Sequence, residues 1–412
     1  MTAIDPERLN HRLEEFAAIG ATDKGGVNRQ ALTEGDRIAR RLLADLAIKR
    51  GFAVFQDPMA NLFIRREGRR GDVPPLLIGS HLDSQPTGGR YDGALGTLSA
   101  FEVLESLEDS GEATERAVEV VAWTNEEGSR FSPGCMGSMA FSQGAIPDDW
   151  ADKYAADGPR FADELQATLA SLPQAAMRLL GFPISAYVEL HIEQGPSLEA
   201  ESIPIGVVTG IQGTRWLEVV VSGQTAHAGT TAQAYRRDPM RAATHALNAL
   251  YDAVMPGDEA ARFTIGRISV APGSINAIPE EVRFTVDIRH PDPAELDRIE
   301  AVVVARIAES ADRFGCSSRT QRLFDMPPGR FSPDILQTMD RAAAMLGVKT
   351  KPMLSGAFHD ALFVARVAPS AMIFVPCRDG LSHNEAEYVE PEHVATGCRM
   401  LASTARLLAS SV

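Results

Sequence analysis

The stretch Ile78–Gly96, IGSHLDSQPTGGRYDGALG, places an imidazole, His81, and two carboxylates, Asp83 and Asp92, directly after a short apolar run. Similar groups recur downstream: Glu126 and Glu127 in TNEEGSRF, His191 in VELHIEQGP, and His383 in LSHNEAE. Taken singly, each has a bland reading. A histidine at a strand end is more often hydrogen-bonded structure than ligand, an Asp before Gly is a turn residue, and a Glu pair is a solvated loop. Together they offer imidazole nitrogen and carboxylate oxygen, the donors that suit zinc and its first-row neighbours, in numbers that can hold two ions. Two metals about 3.5–4 Å apart need a shared ligand, which a carboxylate can be and an imidazole cannot. Asp92 is the natural bridge. Asp83, two residues beyond His81, is placed to accept the other ring N–H of that histidine and fix its tautomer. In the Glu pair, adjacent side chains point in different directions, so one can bind metal while the other faces the attacking water.

These residues need a frame that gathers them. PPLLIGS and AVEVVAWTN are nearly continuous apolar runs, as expected of strands buried on both faces, and GTLSAFEVLESLEDSG between them reads as a helical crossover. An α/β unit of this kind collects its chemistry at the carboxyl ends of its strands. The candidate residues all fall just past predicted strands or in loops. Ahead of them, DPERLNHRLEEFAAIG and LTEGDRIARRLLADLAIKRG have helical apolar spacing, and FAVFQDPMANLFIRREG is β-rich. Near Gly206 the pattern changes. TRWLEVVVSGQTAH, RFTIGRISVA, EVRFTVDIRH and SSRTQRLFDM read as strands, with helices in DPMRAATHALNALYDAV and PAELDRIEAVVVARIAESADRFG. That order, βαββαβ, predicts a two-layer sandwich. PPGRFSPD reads as a linker back, followed by a helix (ILQTMDRAAAMLG), a strand (SAMIFVPC) and a terminal helix (EHVATGCRMLASTARLLAS). The expected organisation is a discontinuous α/β catalytic domain, residues 1–208 and 327–412, with an α+β domain, residues 209–326, inserted into it.

Composition narrows the field of partners. Hydrophobic residues make up 44% and charged residues 23%, an ordinary globular balance. The net charge of −15 repels phosphate backbones and argues against nucleic acid. The four cysteines are scattered and form no C-x-x-C pair, which argues against a thiolate metal site and a disulfide framework. The first residues are charged from Asp5 onward and lack an apolar signal core, and no apolar run is long enough to span a bilayer. The expectation is a reduced, cytoplasmic protein with no membrane partner.

GSHLDSQPTGGRYDGALG, NEEGSRF, HIEQGP, GQTAHAGTT, GSINAIP, DIRHPDP, SGAFHDA and GLSHNEAE follow one another in this order across nearly the whole chain. As a set they resemble the N-carbamoyl-L-amino acid hydrolases, within the dimetal clan of aminoacylases and carboxypeptidase-type peptidases. β-Ureidopropionase and allantoate amidohydrolase share most of these motifs. The resemblance implies a mixed-sheet dimetal-hydrolase domain with a ferredoxin-like inserted domain that serves in dimerisation and as a lid. It implies two divalent ions (Zn2+, or Mn2+, Co2+ or Ni2+), one held by His81 and His191, the other by Glu127 and His383, with Asp92 between them. Glu126 would be the general base. Many clan peptidases carry a carboxylate where this chain has His191, and the imidazole favours the carbamoylase branch.

The resemblance also assigns His227 to the tetrahedral oxyanion, with Asn276 as a second polar contact and Gln194 as a substrate-facing glutamine. Arg289 in DIRHP can grip a carboxylate through two parallel hydrogen bonds. Relatives commonly read SGAGHDA where this chain has Phe358 in SGAFHDA, so Gly356 and His359 are the weaker substrate contacts and Phe358 can reshape the pocket. The implied reaction is hydrolysis of the carbamoyl C–N bond of an N-carbamoyl-L-amino acid by a homodimer paired through the inserted domain, with His227 reaching the neighbour's site. Allantoate and N-carbamoyl-β-alanine also carry a ureido group and a carboxylate and stay open as substrates. An N-acyl amino acid, a dipeptide or a silent binding protein ranks behind them.

Overall fold

A computed structural model describes residues 4–255 and 257–410. The chain divides into two units, Met1–Thr209 with Arg330–Val412, and Gly210–Gly329. One local device recurs in both. Asp5, Asp238 and Asp292 each precede a proline, and each side chain accepts one or two backbone N–H groups of the helix that follows: Pro6–Ala17, Pro239–Val254 and Pro293–Arg313. Asp satisfies the orphan donors of the first turn, and Pro loses nothing at a position whose N–H has no helical partner.

The first unit is built on a ten-stranded mixed sheet. Its longer strands are β1 (Ala53–Gln56), β2 (Leu62–Arg66), β3 (Leu76–His81), β4 (Val118–Trp123), β5 (Ala186–Ile192), β6 (Ile205–Ile211) and β7 (Ser370–Val375). The order is β6-β7-β5-β3-β4-β2-β1, with Gly329–Arg330 and Thr350–Ser355 pairing with β6 and Ala176–Met177 with β1. β7, β5, β3 and β4 run parallel to their neighbours in this group. β2 is antiparallel to β4, β1 to β2, and β6 to β7. Every residue of β3, β4, β5 and β7 is buried, which is why their sequences are continuous apolar runs rather than alternating ones. The crossover helix Ala94–Asp109 packs on β3, β4 and β5 and is buried along nearly its whole length. Four parallel strands thus end side by side.

The second unit has a four-stranded antiparallel sheet in the order Arg262–Ala271, Glu281–His290, Gly213–Ser222, Ser317–Met326. Helices Pro239–Val254 and Pro293–Arg313 cover one face, so Glu281–His290 alternates strictly between half-buried and buried residues. Leu217, Val219, Phe284 and Val286 meet Ala243, Leu250, Ile299 and Val303 in its core. The connectivity is βαββαβ, the ferredoxin-like arrangement.

Several elements carry no clear sequence signal. β6 and Thr350–Ser355 are interrupted by Gly206, Gly210 and Pro352, and helix Asp360–Val364 has only five residues. The expected linker contains the two-residue edge strand Gly329–Arg330. No described helix is long and apolar enough to cross a membrane.

Candidate metal centre

The carboxyl ends of the parallel strands carry the candidate residues. His81 closes β3, Glu126 and Glu127 follow β4, His191 is the penultimate residue of β5, and His383 lies beyond β7. The Gly-rich turn after β3 brings Asp92 back over the same edge. Gly93 has φ +63°, and a β-carbon there would overlap the His81 ring, so only glycine lets this turn approach the imidazole.

Asp92 faces both sides of the cluster. Its Oδ1 lies 3.1 Å from His191 Nε2 and 3.7 Å from His81 Nε2. Its Oδ2 lies 3.6 Å from His383 Nε2, which is 3.3 Å from Glu127 Oε2. The residues form two groups, His81–Asp92–His191 and Asp92–Glu127–His383, whose ligating atoms all lie within 4.8 Å of one another inside each group. Asp92 is common to both. A further group, Glu189–His191–His359, has its ligating atoms equally close together. There the Glu189 carboxylate already accepts the Ser80 hydroxyl and the Ala361 N–H, and His359 Nε2 is 3.0 Å from Ser355 Oγ.

The donor set fits metal. His81 Nε2 is buried with no hydrogen-bond partner, a costly arrangement for a polar atom, and His191 Nε2, also buried, faces the Asp92 carboxylate 3.1 Å away. Their other ring nitrogens meet backbone carbonyls, His81 Nδ1 that of Asp83 (2.9 Å) and His191 Nδ1 that of Ile192 (3.0 Å). Those contacts put a proton on Nδ1 of each ring and turn both Nε2 atoms toward the common centre.

Asp83 corrects one expectation. The His81 ring proton goes to its main-chain carbonyl, because its carboxylate oxygen stands 3.8 Å from that nitrogen. The carboxylate instead accepts the N–H groups of Glu126 (3.3 Å) and Glu127 (3.2 Å). Asp83 therefore orients the Glu pair. Glu127 is gripped further by Gln85, whose Nε2 donates to Oε2 (2.7 Å) and whose N–H donates to Oε1 (3.1 Å). Glu126 Oε2 lies 3.5 Å from His81 Nε2, and its Oε1 accepts the Cys135 thiol. The two glutamates thus diverge, one toward each face of Asp92. Asn125, Cys135, Gln194 and His383 all have φ between +53° and +56°, strain of the kind that collects where a site over-determines its backbone.

Gln194 Nε2 donates to Asp92 Oδ2 and Ser382 Oγ, both at 3.0 Å, so it faces the carboxylate common to both groups. The buried His359 ring packs at a tilt against that of His191, centroids 4.5 Å apart, and supports a candidate ligand. Gly356 lies exposed just past Thr350–Ser355, with open space where a β-carbon would stand, and Phe358 is half-buried. The His383 side chain is 53% exposed and lines a cavity of about 420 Å3 with Lys24, Thr87 and Asn384.

In the second unit, His227 pairs with Ala277 across the short ladder Ala226–His227 with Ala277–Ile278. Its Nδ1 accepts the N–H groups of Gly229 (3.0 Å) and Thr230 (3.2 Å), which leaves the proton on Nε2 of an exposed ring, free to donate. The Asn276 carbonyl accepts the Ala228 N–H, and its side-chain oxygen accepts the Ser274 hydroxyl. Arg289 lies one residue before the end of its strand and forms a forked pair with Asp287, at 2.8–3.2 Å.

Charge at the first unit's cluster sets a pH dependence. Burial opposes charge on His191, but the adjacent Asp92 carboxylate prevails and raises its pKa to about 9. Burial lowers that of His81 to about 4, which keeps the ring uncharged at neutral pH. Burial, then neighbouring carboxylates, pushes Glu126 and Glu127 well above the usual range. Ligands bind cations in their deprotonated forms. His191 and Glu127 are thus expected to release protons on metal uptake, and affinity to rise up to about tenfold per pH unit for each proton released. Calorimetric titrations at about pH 6 and pH 8, in buffers of different ionisation heat, check this; affinity independent of pH contradicts it.

Residues 77–407 match the model of peptidase family M20/M25/M40. The chain belongs to this family. An N-carbamoyl-L-amino-acid amidohydrolase of Rhizobium meliloti is 38% identical over 97% of this chain and 95% of its own. An allantoate amidohydrolase of Bacillus subtilis is 33% identical over 94% of each chain. A crystal structure of a hydantoinase/carbamoylase family amidase from Burkholderia multivorans is similar with a TM-score of 0.94, at 42% identity over 99% of both chains. This member of the M20/M25/M40 family is therefore a hydrolase of C–N bonds other than peptide bonds. Its family is metal-dependent, and the two groups sharing Asp92 are candidate sites for such ions.

Proposed function

We propose that the chain hydrolyses N-carbamoyl-L-amino acids to L-amino acid, CO2 and NH3. The observation that carries this reading is the pair of ligand groups sharing Asp92, with the Glu126 carboxylate beside them. The similarity to the Rhizobium meliloti and Burkholderia multivorans proteins supports the carbamoyl substrate.

His81, His191 and Asp92 would hold one divalent ion, and Asp92, Glu127 and His383 the second. Such a pair supplies an acidified water and a polarised carbonyl. Glu126 takes the water proton as the water oxygen bonds to the ureido carbon. His227 Nε2–H donates to the developing oxyanion. The bond from that carbon to the amino-acid nitrogen breaks, and Glu126 returns the proton to the departing nitrogen. The carbamic acid released falls apart to CO2 and NH3. Arg289 would take the substrate carboxylate, sharing its guanidinium with Asp287. Gln194 and Asn276 are proposed as polar contacts, and Gly356 and His359 as pocket residues.

A second reading, allantoate as substrate, is favoured by the similarity to the Bacillus subtilis protein. A panel of N-carbamoyl-α-amino acids of both hands, N-carbamoyl-β-alanine, allantoate and N-acetyl amino acids, assayed for ammonia or amine release after metal reconstitution, separates the two. N-Carbamoyl-L-amino acids are expected to give the highest kcat/KM. Faster allantoate turnover would install the second reading, and silence across the panel would remove both.

The proposal includes a homodimer through the inserted unit, with His227 acting in the neighbouring subunit. Its support is the exposed, donor-ready His227 ring. Mixing inactive His227→Ala and Glu126→Ala proteins is then expected to restore partial activity in the heterodimer, and a silent mixture contradicts it.

A further inference from the structure

Glu387 belongs to the segment SHNEAE, where it reads as a solvated loop acid. It is instead 2% exposed. Its Oε1 accepts the backbone N–H groups of Tyr91 (2.9 Å) and Asp92 (3.0 Å), almost 300 residues away in sequence. Its Oε2 lies 3.3 Å from the Ser382 hydroxyl, which is also 2.9 Å from Asp92 Oδ2. The carboxylate fills the space above Gly89, where a β-carbon would overlap it. A loop from one end of the chain thus closes on the turn that carries Asp92.

We propose that Glu387 is a positioning residue that sets the Asp92 turn, and with it the orientation of the bridging carboxylate, with Gly89 as its obligatory partner. This rests on the dimetal reading of the cluster. Two main-chain N–H groups on one carboxyl oxygen make a clamp on backbone rather than on a mobile side chain. The clamp acts on the one residue that both ion sites share, so disturbing it is felt at both. Groups that hold a metal ligand from behind are typically worth about 10–100-fold in metal affinity.

The test is a chelator-buffered Mn2+ or Zn2+ titration of the full chain, with thermal unfolding of each metal-free protein alongside. Glu387→Ala and Gly89→Ala are each expected to weaken metal binding about 10–100-fold. Glu387→Gln is expected to stay within about threefold of the parent, because the amide oxygen still accepts both N–H groups. The double variant Gly89→Ala/Glu387→Ala is expected to be no weaker than Glu387→Ala, since removing the carboxylate vacates the space the new methyl needs. Parental affinity in Glu387→Ala, or losses that add in the double variant, would overturn the proposal. So would a fall in metal-free stability with no change in affinity, which marks a merely structural role. If Gly89→Ala does not fold, the Ala and Gln variants at Glu387 decide the matter. If the parent protein itself binds no divalent metal, the dimetal reading fails rather than the role of Glu387 within it.

Discussion

Glu126→Gln is expected to lower kcat by about 10²–10⁴-fold while both ions stay bound. Its carboxylate stands 3.5 Å from His81 Nε2, yet the ion groups are completed without it. Its main chain is fixed by Asp83 and its far oxygen by the Cys135 thiol, so the near oxygen is held toward the reacting centre. Burial and the surrounding acids raise its proton affinity in the metal-free protein. The amide is nearly isosteric and cannot accept that proton. Metal analysis and steady-state kinetics on one preparation check the prediction. Turnover within tenfold of the parent, with metal retained, would remove Glu126 from its role.

Asp92→Ala should be more damaging still, because it strikes both proposed ion sites at once. Oδ1 faces the two buried imidazoles and Oδ2 faces His383, so one substitution removes a ligand from each group. Occupancy is expected to fall from two ions to one or none. Activity should drop by at least about three orders of magnitude, since a two-ion clamp contributes several kcal/mol and each 1.36 kcal/mol is a factor of ten. His383→Ala is the informative contrast. That ligand is half-exposed and belongs to one group alone, so it should cost the second ion and leave the first with His81 and His191. Equal loss of both ions in the two variants would argue against separate sites.

Much of this centre is legible in the sequence because parallel strands write plainly. The apolar runs ending at His81 and Trp123 are buried on both faces, and whatever follows such strands is delivered to one edge of the sheet. The βαββαβ order of the inserted unit is equally plain, since its sheet is covered on one face and its strand Glu281–His290 alternates. Residues that act through the main chain left no such mark. That Asp83 offers His81 a carbonyl and keeps its carboxylate for two N–H groups depends on how the next loop folds over it. Gln85, Ser382 and Glu387 look like ordinary polar loop residues, and only the meeting of distant segments buries or engages them. Arg289 was legible as a forked cation, while its pairing with Asp287, two residues back on the same face, follows from the period of two along a strand.

The most direct test of the central claim is the separation of the bound ions, measured by anomalous scattering from crystals of the metal-reconstituted protein. Two sites about 3.5–4 Å apart are expected, with Asp92 bridging, His81 and His191 on one ion, and Glu127 and His383 on the other. A single ion, or two ions that share no Asp92 oxygen ligand, would contradict the account.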